Sequence, residues 1–123
     1  MILDKPIKLG SMEIKNRLVK AAVVENMATE TGEIRESMIE LYKRVARGGA
    51  GLIITGGAYV QPNGRNLKFQ TGVHHDGLIP NLSRLAKAGQ GNGAKIALQI
   101  SHGGRQCSPE LVGIDTETFD LII

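Results

Sequence analysis

Aromatic residues are scarce in this 123-residue chain: two Tyr, two Phe and no Trp, 3% in all. Its core must therefore be built from Ile, Leu, Val, Ala and Met. The same scarcity removes the stacking platform that single-stranded nucleic acid requires. Cysteine is nearly absent too. Cys107 stands alone, which excludes an internal disulfide framework and fits a reducing compartment. No eighteen-residue apolar run exists, so a transmembrane helix is excluded. The opening Met1-Ile2-Leu3-Asp4-Lys5-Pro6 lacks the apolar core and cleavage site of a signal peptide. A cytoplasmic protein with no membrane contact is expected.

Charge is not one-sided either. Fifteen Lys and Arg face twelve Asp and Glu, a formal balance of +3. The cations are scattered and interleaved with acids, where nucleic-acid binding wants them clustered. No nucleic-acid partner is expected.

What the chain does have is glycine, sixteen residues gathered at the ends of apolar segments. Ile7 and Leu9, then Met12 and Ile14, alternate with polar neighbours around Gly10-Ser11, the chemistry of a two-residue hairpin turn. Leu18 to Val24 is a near-continuous apolar run and predicts a buried parallel strand. A polar loop from Glu25 to Gly32 follows. Ile34, Met38, Leu41 and Val45 recur at helical spacing and predict a helix from Glu33 that ends at Gly48-Gly49. Glu33 and Glu36 at its start, and Lys43, Arg44 and Arg47 at its end, complement the helix dipole. Ala50 to Thr55 predicts a second strand, and Tyr59 to Gly77 a long loop of the length that in compact domains is usually functional or disordered. Asp76 is placed to cap a second helix whose face holds Leu78, Leu82 and Leu85. Gln90 to Gly93 ends it, and Ala94 to Ile100 predicts a third strand. The order hairpin, β, α, β, α, β argues an α/β fold with a parallel sheet.

In such folds ligands sit past the carboxyl ends of the strands. There the chain places Gln99-Ile100-Ser101-His102-Gly103-Gly104-Arg105. A glutamine presents an acceptor and two donors in one plane, suited to the edge of a planar heterocycle, and Arg105 could pair an anionic ligand. A strand-end network that merely ties loops together is the alternative for Gln99, His102 and Arg105. Gly56-Gly57-Ala58 lacks phosphate-loop spacing and suits close packing under a flat ligand. The adjacent His74 and His75 point apart, and no third ligand is spaced for a metal. Cys107 has no orienting partner for nucleophilic work and reads as a plain thiol. Glu25, Glu33 and Glu36 read as helix-start charges and a solvated loop.

Five segments together carry a family resemblance: Pro6-Ile7 to Gly10, Lys15-Asn16-Arg17-Leu18-Val19, Gly48 to Thr55, Pro62-Asn63-Gly64-Arg65, and Gln99 to Arg105. In order and in register, from about residue 3 to 108, they resemble the old yellow enzyme family of NADH:flavin oxidoreductases and ene-reductases. The resemblance implies a (β/α)8 barrel of the TIM type with FMN across its mouth and NAD(P)H as reductant. It further implies that Ala21, Ala22, Val23 and Val24 pass under the flavin, that Gly57 touches it, and that Gln99 bonds its pyrimidine edge. His102 and Arg105 match the family's rim turn. Where the family usually carries Thr or Cys this chain has Val24, and Asn26 stands where a tyrosine is common on the substrate side.

A barrel of this kind takes about 250 residues, so the expectation is the N-terminal hairpin plus about three of eight βα units. By the same resemblance the substrate-binding His pair, the flavin phosphate site and the proton-donor tyrosine belong to later segments, and no catalytic residue is assigned here. Residues 1–108 read as the barrel portion, and residues 109–123 as a divergent tail with an apolar, strand-like end. Two readings of function follow. One is the N-terminal segment of an FMN-dependent NAD(P)H oxidoreductase passing hydride to an electron-poor alkene or similar small-molecule acceptor. The other is a non-catalytic half-barrel that folds by self-association through exposed strand edges and binds no flavin.

Overall fold

The computed structural model describes residues 1–113. The chain opens with a hairpin of β1 (Ile7–Leu9) and β2 (Met12–Ile14), antiparallel with Leu9 opposite Met12. Gly10 takes φ +59° and Ser11 does not enter the left-handed region, the pattern of the II′ turn that Gly-Ser suits. Ile14 plugs the hairpin onto the domain and is buried.

Three parallel strands follow, in the order β3 (Val19–Lys20), β4 (Leu52–Ile54) and β6 (Lys95–Ala97). Helix α1 (Glu36–Arg47) joins the first two and α2 (Ile79–Gly89) joins β4 to β6. Residues opposite each other in register share a face, because side chains alternate along a strand. Lys20, Ile53 and Ile96 form one row and face the helices. Val19, Leu52 and Lys95 form the row on the other side.

The core lies between that first row and the helices: Ile34, Met38, Ile39, Tyr42 and Ala46 from the α1 side, Leu85 and Ala88 from α2, and Ile53 from the sheet. The α1 stripe is rotated from the one its sequence predicts. Leu41 and Val45 are only partly buried, while Ile39, Tyr42 and Ala46 are buried. Helix α1 begins at Glu36 rather than Glu33, whose amide is held back by the side-chain oxygen of Thr29 at 3.0 Å. Gly48 and then Gly49, with φ +98°, end it.

The predicted strand Leu18–Val24 contracts to Val19–Lys20, and it is not buried throughout. Val19 and Val23 are 51% and 65% exposed. Their apolar side chains lie on the face that no helix of these residues covers. The Tyr59–Gly77 connection is ordered: it begins in β5 (Ala58–Tyr59), makes a tight turn at Pro62–Gly64, and bridges back to Tyr59 at Gly72. A short 3-10 turn, Asp76–Leu78, leads into α2, and its cap is His75, not Asp76; the His75 Nδ1 accepts from the Gly77 amide at 3.1 Å. Imidazole can accept like a carboxylate, and its position one residue earlier lets it reach that amide.

Short helix α3 (Pro109–Val112) closes the described residues. The strand-like end expected after it lies outside them. Among the described residues, no helix is long and apolar enough to cross a membrane.

Candidate functional site

The predicted third strand is two strands. Its first half is β6, paired with β4; its second is β7 (Ile100–Ser101), paired with β5. Between the ladder partners Ile54–Ala97 and Ala58–Ile100 the first chain has three residues, Thr55, Gly56 and Gly57, and the second has two, Leu98 and Gln99. One extra residue makes a bulge, a device that bends a strand and re-aims side chains. Thr55 stabilises it by substituting its hydroxyl for a missing carbonyl: Oγ1 accepts from the Gln99 amide at 3.0 Å. The Gln99 carbonyl then accepts from Ala58 N at 2.9 Å, and pairing resumes.

This bulge builds the site. A Cβ on Gly57 would sit 3.3 Å from Gln99 Oε1, so bare backbone lies against the Gln99 amide. A Cβ on Gly56 would sit 2.5 Å from Glu25 Oε2, 2.5 Å from Val23 O and 2.7 Å from Val24 Cα, so the bare backbone at Gly56 lies against the chain at Val23-Val24 and against the Glu25 carboxylate. Val23 and Val24 thus lie against Gly56, and Gln99 against Gly57, at one end of the sheet. Val23, Val24, Leu98 and Ile100 are all exposed there. Among the described residues no hydrogen bond engages the Gln99 side-chain amide. A flat group laid on this strip would rest on small apolar surface with an unspent amide at its edge. The residues present therefore fit an isoalloxazine.

The remaining predicted residues lie at the periphery. His102 packs its ring on Gly64, and its Nδ1 accepts from Gly104 N at 3.0 Å, which leaves the proton of the neutral ring on Nε2. Arg105 is exposed on the Gly104–Gln106 turn. Asn26 adopts φ +53° and its Oδ1 accepts from Phe69 N at 2.9 Å, tying the loop after β3 to the one after β5. Cys107 is buried, its thiol turned to Asn66 Oδ1 at 3.4 Å. Among the described residues no three His, Cys, Asp or Glu are grouped to hold a metal ion.

Two residues beneath the strip belong to its support and are not singled out by any motif: Lys20 and Tyr42. The available signal is a lysine in the middle of the apolar run Leu18–Val24. Lys20 points to the helix side, where its Nζ bonds Glu25 Oε1 at 3.0 Å and lies 5.3 Å over the Tyr42 ring. The Tyr42 hydroxyl donates to the same Oε1 at 2.7 Å. Glu25 is therefore no solvated loop charge; its side chain is 8% exposed. Buried Gln70 braces the other flank, donating from Nε2 to Gly57 O at 2.8 Å and accepting at Oε1 from Asn66 N.

Burial first, and then the hydrogen bond to Glu25, push the Tyr42 phenol far above its ordinary value of 10.0. A raised folded-state value means its contribution is full below pH 10 and declines as alkali ionises the unfolded chain first. Stability measured by urea unfolding from pH 8 to 11 is expected to fall more steeply in the native chain than in Tyr42→Phe. Identical slopes would contradict the assignment.

A sequence profile for the NADH:flavin oxidoreductase / NADH oxidase family matches residues 3–118. The chain belongs to that family. Among curated relatives, the metal reductase of Desulforamulus reducens is 38% identical over 112 residues, 91% of this chain and 16% of that protein. The NADH oxidase of Thermoanaerobacter brockii is 38% identical over 103 residues, 83% of this chain and 16% of that one. Among solved structures, the old yellow enzyme homologue of Zymomonas mobilis superposes with a TM-score of 0.85 at 27% identity, covering 92% of this chain and 31% of that chain. The Trypanosoma cruzi old yellow enzyme gives 0.81 at 34% identity over 89% of this chain and 29% of that one. The chain thus spans less than a third of each of these relatives. The hairpin, the parallel strands and their helices are part of a TIM-type barrel.

Proposed function

We propose that this chain supplies the flavin-bearing edge of an FMN-dependent NAD(P)H oxidoreductase of the old yellow enzyme type. The observation that carries the reading is the bulge at Thr55–Gly57, which sets an unspent Gln99 amide beside bare backbone at the end of three strands. FMN, when bound, would supply the redox chemistry, hydride transfer between NAD(P)H and an electron-poor alkene or similar acceptor. The chain's residues position it. Ala21 to Val24 form an apolar floor, Gly57 permits close approach, and Gln99 offers donor and acceptor to the pyrimidine edge. His102 and Arg105 shape the rim, and Asn26 stands on the acceptor side. Val24 offers no side-chain hydrogen bond where Thr or Cys would, so polar tuning from that position is absent.

Fluorescence titration of FMN tests this. Saturable binding of one FMN per chain is expected, weakened about tenfold in Gln99→Leu by loss of edge hydrogen bonds. No quenching by the native chain would overturn the reading.

The second reading is a self-associating half-barrel that binds no flavin. It is favoured by the uncovered apolar residues Val19, Val23, Leu98 and Ile100 and by the edge position of β3 and β6 in their sheet. It predicts a dimer or larger oligomer in sedimentation and no response to FMN.

A further inference from the structure

We propose that the cleft between α1 and α2 binds a small solute carrying two separate oxyanion groups, carboxylates or phosphates. Its volume is about 390 Å³, within the range of small-molecule sites, about 300–1,000 Å³. Ile39 and Ala88, both buried, form an apolar floor. Lys43 and Arg47 of α1 line one wall, Arg84 and Lys87 of α2 the other, and Gly91 and Asn92 lie at one end. The strip that suits a flavin is built from other residues, so the inference stands independently of that reading.

Charge carries the argument. Along the sequence the cations look scattered, but packing α1 on α2 gathers Lys43, Arg44, Arg47, Arg84 and Lys87 from two distant segments. Two carboxylates stand among them. Glu36 lines the cleft and pairs with Arg84, and Glu40 pairs with Lys43. The Glu40 carboxyl is held below the usual carboxylate range, by the Lys43 hydrogen bond first and then by the charges of Lys43, Arg47 and Arg44. Five cations against two carboxylates leave a surplus of three, the formal balance of the whole chain, so the remaining residues sum to zero. The carboxyl ends of α1 and α2 also meet here: a Cβ on Gly91 would sit 3.7 Å from the Ala46 Cβ. Each helix end is worth about half a negative charge, which still leaves about two positive charges over. Lys15 brings a further ammonium, donating from Nζ to Asn92 O. Among the described residues Arg44, Arg47 and Lys87 take part in no ion pair, and all three are exposed, so a ligand can reach them.

These groups suit oxyanions. Arg47 offers a planar fork and Lys87 a compact ammonium, and both bond carboxylate and phosphate oxygens. Asn92, at φ +55°, lines the same end, and among the described residues its side-chain amide makes no hydrogen bond. Helices in contact stand about 8–10 Å apart, so two anionic groups span the walls better than one.

Titration of the full chain with citrate and with inorganic pyrophosphate, at an ionic strength fixed by sodium chloride, tests this in backbone amide NMR. Saturable shifts at Arg47, Lys87, Gly91 and Asn92 are expected with at least one of the two probes, while Gly57 and Gln99 stay unmoved. Saturation by citrate alone assigns carboxylates, by pyrophosphate alone phosphates, and by both the two groups alike. Acetate and inorganic phosphate, with one group each, are expected to bind at least tenfold more weakly. The double change Arg47→Gln, Lys87→Gln is expected to weaken binding at least tenfold, and each single change at least threefold. Lys8→Gln removes the same charge from the hairpin and is expected to change nothing. Lack of saturation by both probes, equally tight binding of acetate or phosphate, or equal weakening by Lys8→Gln would overturn the proposal. So would saturable shifts at Gly57 and Gln99 in place of the cleft.

Discussion

Glu25→Ala is expected to destabilise the fold by about 3–5 kcal/mol, the usual cost of stranding one member of a buried ion pair. The lysine left behind cannot retreat. Lys20 stands opposite Ile53 in the sheet, so its side chain enters the layer beneath α1 and is only 19% exposed. Without the carboxylate, its ammonium keeps the carbonyls of Ala21 and Ile54, both at 3.3 Å, and the face of Tyr42. Tyr42 in turn loses the acceptor for its hydroxyl. Urea unfolding at neutral pH measures the loss. The double change Glu25→Gln, Lys20→Met is expected to recover much of it, because no uncompensated charge is then buried. A loss below about 1 kcal/mol for Glu25→Ala would place the pair among surface ion pairs and refute its structural role.

Gly56→Ala is expected to cost about 1–3 kcal/mol and to abolish any binding of FMN. The added methyl meets Val23 O at 2.5 Å and Val24 Cα at 2.7 Å, and backbone atoms cannot rotate aside. The Ala21–Val24 segment must lift, and the floor goes with it. Gly57→Ala, one residue on, is the control. Its methyl meets Ser101 Oγ at 3.0 Å and Gln99 Oε1 at 3.3 Å, both ends of side chains that can turn, and Ser101 Cβ at 3.2 Å, which needs to give by only a few tenths of an ångström. Its effect on stability is expected to stay within about 0.5 kcal/mol while FMN binding weakens, because Gln99 is displaced. Thermal or urea unfolding alongside FMN titration separates the two. Equal stability losses would show that the strand ends do not touch as described.

The elements written in local chemistry are readable from sequence. Gly10-Ser11 announces the hairpin turn, Gly48-Gly49 the end of α1, and the run around Leu52–Ile54 the central strand. What escapes sequence pattern is what depends on partners far along the chain. Nothing in Ala94–Ile100 marks the bulge, because the extra residue lies in the other strand at Thr55–Gly57. Glu25 reads as a loop charge until the fold brings Lys20 and Tyr42 to it. The apolar run Leu18–Val24 reads as buried because alternation and hydrophobicity report what a strand is suited to cover. They do not report that Val19 and Val23 face away from both helices. Gln99 is the converse case: the chemistry of its side chain points to a planar ligand before its position is known, and the bulge explains how it comes to stand at the edge of the strip.

The central claim is that Ala21–Val24, Gly57 and Gln99 form one surface for a flavin. Backbone amide NMR of the full chain during FMN addition tests it most directly. The account predicts shifts concentrated on those residues and on Ser101, with the solvent face of α1 around Glu40 and Arg44 unmoved. Shifts clustered elsewhere, or none at saturating FMN, would contradict it.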